Sequence, residues 1–154
     1  MLELGRATDR KPPFKYAALA RVGFSDTDAQ GIVYYGRYMP YFDLARVEYM
    51  RHLGLPFASH EDRQLVMRAA SVEYHAPARF DDLLEVFVRA SRIGRTSVTS
   101  VFAVHRVGDD ALMCTAEQTF VFVDLAARRP VPVPETYRAP IRAFEHADLV
   151  ESAT

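Results

Sequence analysis

The sequence predicts an α+β fold in which a five-stranded antiparallel sheet packs around one long helix. Three observations support this fold class. Apolar residues recur at helical spacing over 37–53, and four later stretches are rich in the Val, Phe and Thr residues that favour strands. The connections between the last three of these stretches are short and contain Gly or Asp, which is typical of antiparallel hairpins. With 154 residues, of which 49% are hydrophobic, the chain can build a single core.

The N-terminal region predicts an arm followed by a first strand. Residues 1–13 are polar and end in two prolines, so we expect a disordered arm, and residues 16–24 form the first predicted strand. The chain begins with charges where a signal peptide needs an apolar stretch, and no run approaches the roughly 20 apolar residues of a membrane span. We therefore expect a soluble cytoplasmic protein that does not bind a membrane.

The long predicted helix has signals at both ends. Pro40 is tolerated in a first helical turn, where a missing N–H costs little, and Gly54 followed by Pro56 ends a helix. A loop at 55–64 follows. The four later strands are predicted at 65–74, 83–91, 96–107 and 111–124.

The last predicted strand is apolar on both faces, because Phe and Val residues alternate along 117–124. One helix cannot cover both faces of a five-stranded sheet, so we expect a homo-oligomer. A proline-rich linker then leads to a short C-terminal helix near 135–144. The predicted single domain spans 14–146, and residues 147–154 form a C-terminal tail.

Charge and cysteine content exclude several classes of function. Nineteen basic and twenty acidic side chains give a net charge of −1, which disfavours nucleic acid as a partner. The single cysteine, Cys114, excludes an intrachain disulfide framework and is expected to be a plain buried thiol. The five histidines have no metal-ligand spacing, so we expect no metal site.

The segment from Gly23 to Arg46 reads GFSDTDAQGIVYYGRYMPYFDLAR and joins a carboxylate-bearing turn to a helix start. A carboxylate beside a helix N-terminus can act on water or on an acyl carbon. Free N–H groups of the first helical turn can polarise a carbonyl oxygen. Acyl transfer needs both elements, so this loop is the candidate site.

The loop resembles the signature of the 4-hydroxybenzoyl-CoA thioesterase family of hotdog proteins, which reads approximately Asp-x-Asp-x-x-Gly followed by hydrophobic and aromatic residues. The matching residues are Asp26, Asp28, Gly31, Ile32, Val33, Tyr34 and Tyr35. The resemblance continues through the helix and strands to about Asp124. It implies a hotdog fold, in which the sheet wraps around the central helix, and dimers that pair into tetramers with active sites between subunits.

By this resemblance, Asp28 is the catalytic nucleophile or general base, and the main-chain N–H of Tyr35 polarises the carbonyl. Asp26, Gly31 and Gly36 are supporting residues. The implied reaction is hydrolysis of an acyl-CoA thioester, aryl or short-chain, to a free acid and coenzyme A. Coenzyme A is part of the substrate, so no separate cofactor is expected.

The resemblance also implies that the turn between the third and fourth strands lies near the phosphates of coenzyme A. The residues nominated there are Arg92, Arg95, Thr96 and Ser97, with Arg128 and Arg129 as further candidates. Exposed arginines in hairpins often serve solubility alone, so this alternative stays open.

Other interpretations of the same residues exist. Asp26 and Asp28 also begin like a calcium loop, but the twelfth position is Arg37 where a glutamate is required. Both aspartates can instead cap turns with their side chains. Some hotdog thioesterases carry their acid on the central helix, which makes Glu48 an alternative catalytic residue.

Two other functional classes remain open. A non-catalytic protein that binds acyl-CoA or an acyl carrier would have the same fold. A hotdog hydratase or dehydratase would want a histidine near the helix start, and no histidine occurs between Gly23 and Arg51.

Overall fold

The computed structural model describes residues 4–56 and 63–152 and contains one sheet with five long strands. These are β2 Tyr16–Arg21, β3 Arg63–Tyr74, β4 Leu83–Ile93, β5 Ser97–Arg106 and β6 Leu112–Asp124. Three short strands, β1 Gly5–Ala7, β7 Arg129–Pro130 and β8 Val150–Glu151, extend it. The strand order is β1-β2-β4-β5-β6-β3, with β7 beside β6 and β8 parallel to the end of β4. The predicted α+β fold and the β4–β5 and β5–β6 hairpins are confirmed.

The sheet wraps around helix α1, Tyr38–His52, whose bounds lie within one residue of the prediction. Phe42 and Ala45 are fully buried on this helix, and the Phe42 ring lies 4.9 Å from the ring of Phe102 on β5. Val86 and Val104 on the same face of the sheet are also fully buried. The apolar stripe of α1 therefore forms the main core with the inner face of the sheet.

Helix α2, Glu135–Glu145, closes one end of this core. Its Tyr137 ring packs edge-on against Phe122, and Phe144 packs against Tyr49 of α1. The last residue of α2, Glu145, is fully buried. Its carboxylate accepts hydrogen bonds from the Tyr49 hydroxyl at 2.7 Å and the Ala90 N–H at 3.1 Å, which join α2 to both α1 and β4. Burial raises the pKa of Glu145.

Residues 4–13 form a short strand and contacts with the sheet, whereas the sequence predicts a disordered arm over 1–13. Gly5–Ala7 pairs with β2, and Lys11 forms an ion pair with Asp110. The Phe14 ring packs on Phe87, on the outer face of the sheet. These contacts join residues far apart in the sequence, and local composition carries no signal for them.

Two other boundaries differ from the sequence prediction. The first long strand ends at Arg21, and Phe24–Asp26 forms a short 3₁₀ turn because the Asp26 carboxylate accepts the Gly23 N–H at 2.8 Å. Much of the predicted loop at 55–64 lies outside the described residues.

Strand β3 forms the outer edge of the sheet opposite β1 and pairs with β6 alone among the described strands. It is 12 residues long, and Val66 and Met67 remain 44% and 40% exposed. Natural sheets rarely leave a long apolar edge strand uncovered. Among the described helices, none has the length and apolar character needed to cross a membrane.

Candidate active site

The loop after β2 folds back on itself to hold Asp28. The Asp28 N–H donates to the Ile32 carbonyl at 2.9 Å, and the Gly31 N–H donates to the Asp28 carbonyl at 3.0 Å. Thr27 and Val33 form an isolated antiparallel bridge. Gly31 closes the turn with a φ of 78°, in the left-handed region where a side chain introduces strain. The predicted supporting role of Gly31 therefore has a conformational basis.

Asp28 lines an open pocket of about 310 Å³, and its side chain is half-buried. Its Oδ1 accepts the Gln30 N–H at 2.8 Å. This is the turn-capping bond expected from the alternative in which Asp28 caps a turn with its side chain. No hydrogen bond to Oδ2 is present among the described residues. One carboxylate oxygen thus fixes the turn while the other is available to a ligand.

Asp26 holds the loop against α1. Its Oδ2 accepts hydrogen bonds from the Gly23 N–H and the Tyr41 hydroxyl, both at 2.8 Å, and its carbonyl accepts the Tyr34 N–H at 2.9 Å. Burial, followed by the hydrogen bond to Asp26, raises the pKa of Tyr41, so that this hydroxyl stays a donor at neutral pH. Asp26 is not among the residues that line the pocket. The contacts of Asp26 therefore hold the loop against α1.

Tyr35 begins a 3₁₀ turn, Tyr35–Arg37, that runs directly into α1. The first hydrogen bond of this turn is from the Arg37 N–H to the Tyr34 carbonyl at 2.8 Å, so the N–H groups of Tyr35 and Gly36 precede it. No acceptor for either N–H is present in the described part of the chain. A Cβ at Gly36 would lie 2.9 Å from Cε1 of the Tyr34 ring, so a larger residue there requires this ring to shift.

The family model for the thioesterase-like superfamily matches residues 22–141. The chain belongs to this superfamily. It is 33% identical over 129 residues to the acyl-CoA thioesterase YbgC of Haemophilus influenzae, covering 82% of this chain and 91% of the relative. It is 35% identical over 119 residues to the acyl-CoA thioester hydrolase YbgC of Escherichia coli, covering 75% and 87%.

Among solved structures, a 1,4-dihydroxy-2-naphthoyl-CoA thioesterase from Synechocystis superposes with a TM-score of 0.78 at 22% identity, covering 84% of this chain and 97% of that one. The superfamily match and the YbgC relatives confirm the predicted resemblance and the enzyme class, a thioester hydrolase. The superfamily match and the likeness to the solved structure confirm the hotdog fold.

Two pocket residues of this thioesterase were not identified from the sequence. Tyr74 ends β3 and His75 follows it, and both line the pocket with Asp28 and Tyr35. The Val33 N–H donates to the Ala78 carbonyl at 2.8 Å, which joins the loop that carries Asp28 to the loop after β3. This contact spans 45 residues, so helical or strand periodicity carries no signal for it.

The predicted coenzyme A residues do not meet Asp28 within one chain. Arg92, Arg95, Thr96 and Ser97 surround the β4–β5 turn, and none of them lines the pocket. The pocket residue Tyr74 is level with Val86 across the sheet, six residue steps from Arg92, or roughly 20 Å along β4. Arg92 and Arg95 are exposed, and the buried Arg138 donates to the Gly94 and Arg95 carbonyls from behind the turn.

The remaining candidates lie away from the pocket. Glu48 is on α1 and pairs with Arg51 at 3.5 Å. Arg37, at the twelfth position of the calcium-like spacing, is inside the 3₁₀ turn. Among the described residues, no group of three or more His, Cys, Asp or Glu side chains is placed to hold a metal ion.

Proposed function

We propose that this thioesterase hydrolyses an acyl-CoA thioester, with Asp28 as nucleophile or general base and the Tyr35 N–H as the donor to the thioester carbonyl. One observation carries the proposal: Asp28, whose Oδ2 has no hydrogen bond among the described residues, and Tyr35, whose main-chain N–H has no acceptor there, line the same pocket. The YbgC relatives are an acyl-CoA thioesterase and an acyl-CoA thioester hydrolase, which supports coenzyme A as the leaving group.

The proposed chemistry follows from these two groups. The thioester oxygen accepts the Tyr35 N–H, and the carbonyl carbon becomes more electrophilic. Either Asp28 Oδ2 attacks this carbon and water then hydrolyses the resulting anhydride, or Asp28 takes a proton from a water that attacks directly. In both routes the C–S bond breaks and the thiolate leaves. Its conjugate thiol has a pKa near 8.5, so the leaving group needs little help from an acid.

The shape of the pocket supports an aryl or short-chain acyl group. At about 310 Å³, the pocket is at the small end of the range for small-molecule sites, and the rings of Tyr35, Tyr38 and Tyr74 line it. Burial raises the pKa of Tyr38 to about 12, so its hydroxyl stays neutral beside the substrate. We therefore propose an acyl group no larger than an aromatic ring system.

We further propose that the working unit is a homodimer, or a pair of such dimers, formed along β3. Two copies that pair antiparallel through this edge would bring the β4–β5 turn of one copy toward the pocket of the other, because the two ends of the sheet exchange places. Arg92, Arg95, Thr96 and Ser97 from the second copy would then meet the phosphates of coenzyme A. A cytoplasmic location stays a prediction.

A thiol-release assay with aromatic and short aliphatic CoA thioesters tests the proposal. The Asp28→Asn variant keeps the turn-capping oxygen, and we expect it to lose about 10²- to 10⁴-fold in kcat. Asp43→Asn is the matched control, because Asp43 is an exposed carboxylate on α1 that pairs with Arg46. Undiminished turnover by Asp28→Asn overturns the assigned role. Thioester binding without turnover favours a binding protein, and water addition to an enoyl-CoA favours a hydratase.

A further inference from the structure

Tyr74 reaches the proposed site from a different part of the chain. Its hydroxyl donates a hydrogen bond to the main-chain carbonyl of Tyr35 at 3.0 Å across 39 residues. Its ring packs edge-on against Tyr38, with ring centroids 5.7 Å apart. Tyr38 is the buried first residue of α1, so the Tyr74 ring rests on a fixed support.

The acceptor of this bond belongs to the turn that carries the free N–H groups. The peptide unit between Tyr35 and Gly36 is planar, so a bond to its oxygen also fixes the direction of the Gly36 N–H. A carbonyl that accepts a hydrogen bond polarises its peptide, which makes the N–H of the same unit a stronger donor. The hydrogen bond from Tyr74 therefore orients and strengthens the Gly36 N–H through the shared peptide unit, without contacting it.

Short 3₁₀ turns are poorly restrained by their own hydrogen bonds. The turn at Tyr35–Arg37 has no side-chain cap on its first residue, and the Tyr35 ring is 64% exposed. Among the described residues, the Tyr74 hydroxyl is the one side-chain donor to a main-chain carbonyl of this turn. Burial is the largest cause that raises the pKa of Tyr74, and the electrostatic effects of Cys114 and Tyr35 add to it. The hydroxyl therefore keeps its proton at neutral pH.

We propose that Tyr74 is a positioning residue: its bond to the Tyr35 carbonyl fixes the Tyr35–Gly36 peptide and the direction of the Gly36 N–H, and it restrains the turn from which the Tyr35 N–H donates to the thioester carbonyl. The proposal rests on the proposed function, because it assigns an orienting partner to the same carbonyl-polarising turn. It adds a residue from the end of β3 to a site whose other groups come from the loop before α1.

The variant Tyr74→Phe removes the hydroxyl and keeps the ring against Tyr38. We expect kcat to fall about 5- to 10-fold, which corresponds to the loss of one ordinary hydrogen bond, while KM changes less than twofold. Tyr137→Phe is the matched control, because its hydroxyl also donates to a main-chain carbonyl, that of Pro56, at 2.7 Å on the far side of the core. We expect this control to lose stability and to keep kcat.

A second measurement separates positioning from general weakening of the fold. In an Asp28→Asn background, the infrared frequency of a ¹³C-labelled thioester carbonyl reports how strongly the bound oxygen is polarised. We expect a smaller downshift from the solution frequency when Tyr74→Phe is added, and no change when Tyr137→Phe is added.

The outcomes are distinguishable. If wild type cleaves thioesters and Tyr74→Phe leaves both kcat and the carbonyl frequency unchanged, the role of Tyr74 is wrong and the proposed function stands. If wild type binds a thioester without cleaving it, the proposed function fails, and the carbonyl frequency still decides whether Tyr74 positions the turn. Absence of any thioester binding overturns both.

Discussion

Glu145 offers a quantitative test of how α2 is held in place. Its carboxylate is fully buried, accepts the Tyr49 hydroxyl and the Ala90 N–H, and lies 3.7 Å from the half-buried Lys15 ammonium. Replacing Glu145 with Ala leaves two buried donors without an acceptor. Each such group costs about 1–3 kcal/mol, so we expect Glu145→Ala to lower the free energy of unfolding by about 2–5 kcal/mol.

The variant Glu145→Gln separates charge from hydrogen bonding, because the amide oxygen can still accept a bond from Tyr49 or Ala90. Burial raises the pKa of Glu145 in the folded state above its ordinary value of 4.5, which applies to the unfolded chain. A carboxyl with a raised folded-state pKa contributes its full stability below about pH 4.5. That contribution is lost as the pH rises through the folded-state pKa, because the ionised form is penalised by burial.

Urea denaturation from pH 4 to pH 8 measures this effect. We expect the stability of wild type relative to Glu145→Gln to be greatest at the acidic end, to fall as the pH rises, and then to level off. Glu135→Gln is the control, because Glu135 is an exposed carboxylate of the same helix whose partner Arg142 lowers its pKa. A wild-type advantage that grows with pH at Glu145 would refute the reasoning.

Three further predictions concern the loop, the arm and the sheet edge. Gly31→Ala should lower the free energy of unfolding by about 1–2 kcal/mol because Gly31 has a φ of 78°, and unchanged stability in denaturant would contradict this. Phe14→Ala should cost about 1–3 kcal/mol, since its ring packs on Phe87, and an unaltered urea midpoint would mean that the arm contributes nothing. Met67→Lys should reduce the mass measured by sedimentation to that of one chain if β3 is the interface, and an unchanged mass would exclude this edge.

The fold could be predicted because its signals are local. The apolar stripe of α1 and the turn residues between β4, β5 and β6 depend on neighbours a few positions apart, and their observed bounds differ from the predicted ones by at most two residues. The order of the N-terminal arm could not be predicted in this way. Its anchors, Phe87 and Asp110, are more than 70 residues away along the chain.

The two aspartates of the motif, which the sequence distinguishes only through the family resemblance, have different surroundings in the structure. Both are acids in one polar loop, and either can cap a turn. In the structure the two carboxylates differ in their hydrogen bonds. Asp26 Oδ2 accepts hydrogen bonds from two donors, whereas the Asp28 carboxylate accepts one, through Oδ1. Asp28 lines the pocket and Asp26 does not, so the placement of the two side chains favours Asp28 for the proposed chemistry.

His75 reopens one alternative that the sequence disfavours. The absence of histidine between Gly23 and Arg51 speaks against a hydratase, but His75 lines the same pocket as Asp28 through the loop after β3. Its Nε2 lies 3.3 Å from the Thr115 hydroxyl, at the rim of the sheet. For this reason an enoyl-CoA belongs among the substrates of the activity assay.

The proposed site divides into a part that one chain supplies and a part that it lacks. Asp28 and the Tyr35 N–H come from one continuous segment, so a single copy can hold and polarise a thioester carbonyl. The turn at Arg92–Ser97 lies roughly 20 Å farther along the sheet than the pocket residue Tyr74. Antiparallel pairing along the edge strand β3 exchanges the two ends, so the turn of a second copy would approach the pocket. The open edge and the distant turn therefore support the same proposal, that coenzyme A binds between two copies.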